Sequence, residues 1–205
     1  MKQFYENGKI EVGLDEVGRG CLFGPVCVGA VVWLNEDPEP NLEIRDSKKV
    51  SEKKRTILKD YIKDNSIAYS IQLVDNDYID KHNILNSTMT GMHKCLDDIT
   101  QSLSVDTILV DGNHFEFYSD KDDNYISHVC VVDGDNTYKS IAAASILAKT
   151  YRDEWINKLV DDNPELEKYD LRNNKGYGTK NHLDAIKQYG ITRWHRKSFG
   201  ICKGK

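Results

Sequence analysis

Three short apolar runs in this chain lead straight into carboxylates, and no other pattern limits its possible folds as much. Residues 10–14 run into Asp15-Glu16, residues 107–110 into Asp111-Gly112-Asn113, and residues 128–132 into Asp133-Gly134-Asp135. Runs of this length and β-branched character read as buried strands. Open α/β sheets place their chemistry at strand ends, so a sheet that aligned these three ends would collect acids in one place. The adjacent Asp15 and Glu16 repel each other unless a cation sits beside them, which makes the pair a candidate for a hard divalent ion. Gly18-Arg19-Gly20 follows at once, and glycine there lets the backbone approach a ligand closely.

The rest of the pattern fills in an α/β fold. Residues 26–34 form a second apolar strand, and Ile67, Tyr69, Ile71 and Leu73 alternate with Ser66, Ala68, Ser70 and Gln72 as in a half-buried third. Helices are expected over 51–63 with Ser51 as N-cap, over 84–103, over 139–159 and over 181–188, the last ending at Gly190. The uneven spacing excludes simple βαβ repetition. A mixed five-stranded sheet flanked by helices, antiparallel in its first three strands and parallel thereafter, fits best. The chain reads as one domain, 1–205, with 160–205 a basic helical C-terminal region packed on it.

Composition excludes several classes. With 39% hydrophobic and 30% charged residues, the 205-residue chain has the material for a core. No apolar run is long enough to span a membrane, and the N-terminus has no secretory signal, so a cytoplasmic protein is expected. Five cysteines without C-x-x-C spacing suggest reduced thiols, with neither a zinc site nor a disulfide framework. A net charge of −5 argues at first against nucleic acid, but its distribution argues for it. Residues 96–136 carry ten acids and one base, whereas 171–205 carry nine bases and one acid. Lys48, Lys49, Lys53, Lys54 and Arg55 form a second basic cluster. Basic segments could grip a polyanion while an acidic centre held metal.

Known motifs mostly fail. Gly18, Gly20 and Gly24 miss the dinucleotide-binding spacing and precede a strand rather than a helix. The segment from Asp133 begins like a calcium loop but lacks its glycine and its final glutamate. No G-x-S-x-G elbow is present. What remains is the set Asp15, Glu16, Asp111 and Asp135. An aspartate at a strand end often only starts a turn, so the last two mean little singly. Together with Asp15-Glu16, however, they could supply two Mg²⁺ ions roughly 3.5–4 Å apart, the arrangement used to hydrolyse phosphodiesters.

At this point the chain resembles the type 2 ribonuclease H (ribonuclease HII) family over nearly its whole length. The matching blocks are 13–20 with Gly24-Pro25-Val26, Asp46-Ser47-Lys48-Lys49, Asn83-Ile84-Leu85-Asn86, Val110-Asp111-Gly112-Asn113, 140–149 with Arg152-Asp153, 175–179, and Arg196-Lys197-Ser198-Phe199. The resemblance implies a ribonuclease H-like fold and a two-metal site using Mg²⁺ or Mn²⁺. It implies hydrolysis of RNA in RNA/DNA hybrids and cutting 5′ of single ribonucleotides embedded in duplex DNA; a monomer with no membrane partner is expected. It makes Asp15, Glu16, Asp111 and Asp135 the catalytic metal ligands, and makes Gly18, Arg19 and Gly20 the loop that senses the 2′-OH. Tyr177 matches the tyrosine that packs on the sugar of the following deoxynucleotide. Lys48 and Lys175 are expected to bind substrate, with Lys49, Lys180, Arg193 and Arg196 as further phosphate contacts. His182 and His195, within the basic tail, are candidates for the same role.

The chain also departs from the family. Asp133 stands where lysine is common; on an extended backbone it would share a face with Asp135 and add negative charge to the site. Val17 and Phe23 replace small alanines, and Cys21 replaces a proline.

Overall fold

The computed structural model describes residues 1–33, 44 and 51–204. Its sheet contains β1 (Glu11–Val17), β2 (Val26–Val32), β3 (Ala68–Val74), β4 (Thr107–Asp111), β5 (Tyr118–Ser119) and β6 (Tyr125–Val131), in the order β3-β2-β1-β4-β6-β5. β1, β2 and β3 pair antiparallel, and β1, β4 and β6 pair parallel. The expected mixed five-strand arrangement is therefore present, with a sixth, two-residue strand added at the edge. β5 is too short to show periodicity. It is held by pairing of Tyr118 with Ile126, and by the Tyr118 hydroxyl, which donates to Asp97 Oδ1 at 2.9 Å.

The helices are α1 (Glu52–Asn65), α2 (Asn76–His82), α3 (Ile84–Thr100), α4 (Gly134–Thr137), α5 (Lys139–Asp162), α6 (Leu171–Asn174) and α7 (Lys180–Tyr189). Ser51 caps α1 through its hydroxyl, which accepts from Lys54 N at 3.4 Å, and Gly190 ends α7 with φ +78°. The heptapeptide α2 escaped the periodicity because only Asn76 and Ile79 in it are buried. Asp75 starts it by accepting from Tyr78 N at 2.7 Å. None of the described helices is long and apolar enough to cross a membrane.

Alternation along β1 and β2 assigns the two sheet faces. Val12, Leu14, Val28, Ala30 and Val32 meet Met89, Met92, Cys95, Leu96 and Ile99 of α3. Val31 packs with Leu58 and Ile62 of α1 and with the alanines of α5. On this second face two glycines set how closely α5 can lie. A Cβ on Gly13 would fall 2.3 Å from the carbonyl carbon of Ser140, and one on Gly29 would fall 2.4 Å from the carbonyl oxygen of Ala144. The alanine-rich start of α5 thus rests on bare sheet backbone, which a helix carrying larger side chains could not do. Further along, Ile156 and Val160 of α5 enter another core with Leu22, Phe23, Leu166, Tyr169, Leu171, Ala185 and Ile186, so the C-terminal segments pack on the far half of the same helix.

Gly29→Ala should lower unfolding free energy by about 2–3 kcal/mol, because the added methyl meets backbone that has no rotamer to change. Urea denaturation checks this; an unchanged midpoint would mean that α5 can retreat at little cost.

Candidate active site

The parallel register places the strand ends side by side. Leu14 pairs with Val110 and Asp111 with Val131, so Asp15 and Asp111 stand level on neighbouring strands, Asp15 and Glu16 lying within β1, which continues to Val17 beyond the expected end at Leu14. Asp15 lies two residues beyond Gly13 and therefore faces α5. There Asp15 accepts a hydrogen bond from the Ser145 hydroxyl, and its Oδ1 also accepts from Glu16 N at 2.7 Å. Asp15 is buried, with 6% of its surface exposed. Burial, then Glu16, then Asp111 push its carboxyl well above the usual aspartate range. Burial likewise raises Glu16, against the opposing pull of the Arg19 guanidinium 3.1 Å away.

Asp111 Oδ1 accepts from Gly134 N at 2.7 Å, which ties the end of β4 to the start of α4. Asp135 sits buried in that first turn, next to Gly134. The structure thus brings Asp15, Glu16 and Asp111 into electrostatic contact and sets Asp135 beside them through the backbone. Asp133 does not behave as an extended residue would. Its backbone is left-handed (φ +55°, ψ +39°), its carbonyl accepts from Thr137 Oγ1, and the residue is exposed. Asp133 is thus a solvent-exposed residue preceding α4, whereas Asp135 is buried in that helix's first turn.

Among the described residues no three carboxylate, histidine or cysteine side chains close into a ready-made metal cage. Mg²⁺ is usually held by one or two carboxylates, with water and substrate phosphate completing the shell. A buried Asp15 whose carboxyl is pushed up by burial and by the neighbouring Glu16 and Asp111 also belongs to a donor set whose charge a divalent cation would relieve.

Beside the acids, the β1–β2 loop is clamped from two sides. Arg152 of α5 has no exposed surface and donates to Pro25 O (2.9 Å), Phe23 O (3.0 Å) and Lys175 O (2.7 Å). Arg196, equally buried, donates to Gly24 O and Arg19 O, both at 2.9 Å. Leu22 N donates to Gly176 O at 2.8 Å, and Arg196 N to Leu22 O at 2.8 Å. The 18–25 loop, the 175–177 loop and the 194–196 segment are therefore one hydrogen-bonded unit. Gly18, at φ +90°, lies against Arg152, where a Cβ would be 2.3 Å from Nε. Gly20 is different: a Cβ there meets nothing within 4 Å.

The remaining expected residues divide. Tyr177 is 40% exposed, and its hydroxyl hydrogen-bonds with the Cys21 thiol. Lys175 is buried, and its ammonium donates to Asn157 Oδ1 at 2.8 Å. Lys180 and Arg193 are exposed; Lys48 and Lys49 lie outside the described residues. Arg196 is not placed for a phosphate contact, since it has no exposed surface; its Nε and Nη1 hold backbone carbonyls, and its buried Nη2 has no hydrogen-bond partner among the described residues. His182 and His195 are fully buried as well, so neither reaches a phosphate. Sequence reading assigned no role to Arg152 or Ser145. Their only signal was membership of the 140–149 and Arg152-Asp153 blocks.

The Ribonuclease HII family profile matches residues 12–202. The chain belongs to the ribonuclease HII family. A ribonuclease HII of Christiangramia forsetii is 46% identical over 98% of this chain and 96% of its own length. Among solved structures, the ribonuclease H2 of Pyrococcus horikoshii superposes with a TM-score of 0.76 at 23% identity, covering 94% of each chain. A Bst-RNase HIII in complex with Mn²⁺ superposes at 0.65 and 18% identity, covering 88% of this chain and 70% of that one. These two establish the ribonuclease H-like fold. Membership in the ribonuclease HII family makes the protein a metal-dependent endonuclease with ribonuclease H activity on RNA/DNA hybrids.

The buried acids carry a stability cost with a definite sign. Asp15 titrates higher folded than unfolded, so its contribution is fully present below the ordinary aspartate range and is lost as pH rises through the raised value. Asp15→Asn should therefore stabilise the metal-free protein at pH 7 by about 1–2 kcal/mol, and the gain should vanish in acid. Denaturation at both pH values, with chelator present, measures it. Arg152→Lys should cost about 2–4 kcal/mol, because two of three buried carbonyls lose their donor.

Proposed function

We propose that this ribonuclease HII hydrolyses the RNA strand of hybrids and also cuts 5′ of a single ribonucleotide in duplex DNA, leaving 3′-OH and 5′-phosphate ends. The observation that carries this reading is the position of the buried Asp15 with the half-buried Glu16 and Asp111 beside a loop whose Gly20 faces open space and which is locked to the Tyr177 loop. Asp15, Glu16, Asp111 and Asp135 would hold two divalent ions, Mg²⁺ or Mn²⁺, through carboxylate oxygens. Bound there, the ions supply the Lewis acidity that activates water and stabilises the leaving 3′-oxygen.

The chain's own residues do the rest. Asp15 and Asp111, level on adjacent strands, orient the attacking side, while Glu16 and Asp135 flank the leaving side. Ser145 and the Glu16 N–H keep the Asp15 carboxylate in one orientation. Gly18, Arg19 and Gly20 present backbone to the ribose, where the 2′-OH separates RNA from DNA. Tyr177 receives the next deoxyribose on its exposed ring. Lys175 enters through the loop that it anchors, and Lys48 and the exposed Lys180 and Arg193 through phosphate charge. The protein works as a cytoplasmic monomer away from membranes, with 160–205 as part of one functional domain.

A duplex with one embedded ribonucleotide, incubated with Mg²⁺ or Mn²⁺, should be nicked on its 5′ side. Cutting of hybrids but not of this duplex would remove the junction activity from the proposal. Asp15→Asn and Asp111→Asn should abolish cleavage and keep duplex binding. Gly20→Ala should leave the melting temperature unchanged and reduce cleavage at least about tenfold, the scale of one misplaced polar contact. Full activity in Gly20→Ala would show that the open space at Gly20 is not where the ribose lies.

A further inference from the structure

Beneath Tyr177 lie two buried histidines that the chemistry above leaves unused. His182, near the start of α7, and His195 place their Nε2 atoms 3.2 Å apart. His182 Nδ1 is 2.9 Å from the Tyr177 carbonyl oxygen, and His195 Nδ1 is 2.9 Å from both Thr192 N and Thr192 Oγ1. These partners decide every proton. A backbone N–H can only donate, so His195 Nδ1 accepts from Thr192 and the ring proton sits on Nε2. That proton points at His182 Nε2, which must accept. His182 then carries its own proton on Nδ1, aimed at a carbonyl that can only accept. One tautomer of each ring satisfies the whole chain of bonds, and a second proton on either ring would set donor against donor.

The surroundings preserve this arrangement. Phe23 and Tyr169 each pack edge-on against both rings, with centroids 5.0 and 5.1 Å from His195 and 6.5 and 6.2 Å from His182. Burial keeps both imidazoles neutral, pulling His182 below the usual range and His195 down to about 3. The carbonyl so held belongs to Tyr177, whose side chain is exposed and hydrogen-bonded to Cys21 of the 18–25 loop.

We propose that His182, oriented by His195, is a positioning residue for substrate choice: its Nδ1–H fixes the Tyr177 backbone and so aims the Tyr177 ring at RNA-to-DNA junctions. This rests on the reading of Tyr177 given above. Amide side chains separate the two ends of the imidazole. His182→Asn retains a donor where Nδ1 was, and His182→Gln retains only a partner for His195 where Nε2 was.

The experiment measures the ratio of cutting at one embedded ribonucleotide to cutting of a uniform RNA/DNA hybrid. His182→Gln should lower that ratio about tenfold, the value of one hydrogen bond, as Tyr177→Ala does, whereas His182→Asn should stay near the wild-type ratio. If Tyr177→Ala lowers the ratio and His182→Gln does not, or if Asn and Gln lower it equally, the positioning role is overturned and the Tyr177 reading stands. If Tyr177→Ala leaves the ratio unchanged, both fall. Should the variants not fold, ¹⁵N shifts of the wild-type imidazoles decide: protonation at His182 Nδ1 and His195 Nε2 supports the proposal, and the reverse tautomers overturn it.

Discussion

Much of this molecule depends on the guanidinium of Arg152. Fully withdrawn from water, it donates to three backbone carbonyls on two loops that are 150 residues apart in sequence. A buried cation is expensive unless its donors are satisfied, and carbonyls in irregular loops are expensive unless they find donors. Each difficulty resolves the other, so the loops have little freedom to separate. Arg196 repeats the device on the other side of the 18–25 loop. The result is a surface made of loops yet positioned from the core.

α5 is the member that relates this clamp to the acids. Its first turns rest on Gly13 and Gly29, the residue after Ala144 is the Ser145 that reaches Asp15, and about two turns later it carries Arg152. A shift of α5 would therefore move the carboxylates and the 18–25 loop together. The acids themselves oppose folding: Asp15 is buried against like charges, and the hydrogen bonds from Ser145 and Glu16 offset only part of that cost. Strain kept at a site in this way favours a ligand that brings positive charge.

Much of this was legible in the sequence, for identifiable reasons. The strands that carry Asp15 and Asp111 could be read because even short β-branched runs report burial, although β1 runs on through Asp15 and Glu16 to Val17 instead of stopping at Leu14. The caps at Ser51 and Gly190 were readable because capping is local. β5 and α2 were not, being too short to show a repeating face and set by long-range or local contacts such as Tyr118 to Asp97 and Tyr78 N to Asp75. Asp133 was misplaced because one left-handed residue converts an extended stretch into a helix start, and nothing in residues 128–135 forces that turn. Arg196, His182 and His195 were misread as surface groups because a basic segment looks solvated until its carbonyl and ring partners are known.

By itself the sequence determined the mixed sheet, the acid-bearing strand ends and the family, because each is written in contiguous residues whose periodicity or motif survives without knowledge of neighbours. Only the tertiary structure decided which charges are chemical and which are structural. Arg19 and Arg196 are indistinguishable as letters, yet one is exposed and the other holds backbone in the core. The physical reason is that burial and hydrogen-bond partners are set by residues distant in sequence. The same long-range partners place His182 under Tyr177 and Asp15 level with Asp111.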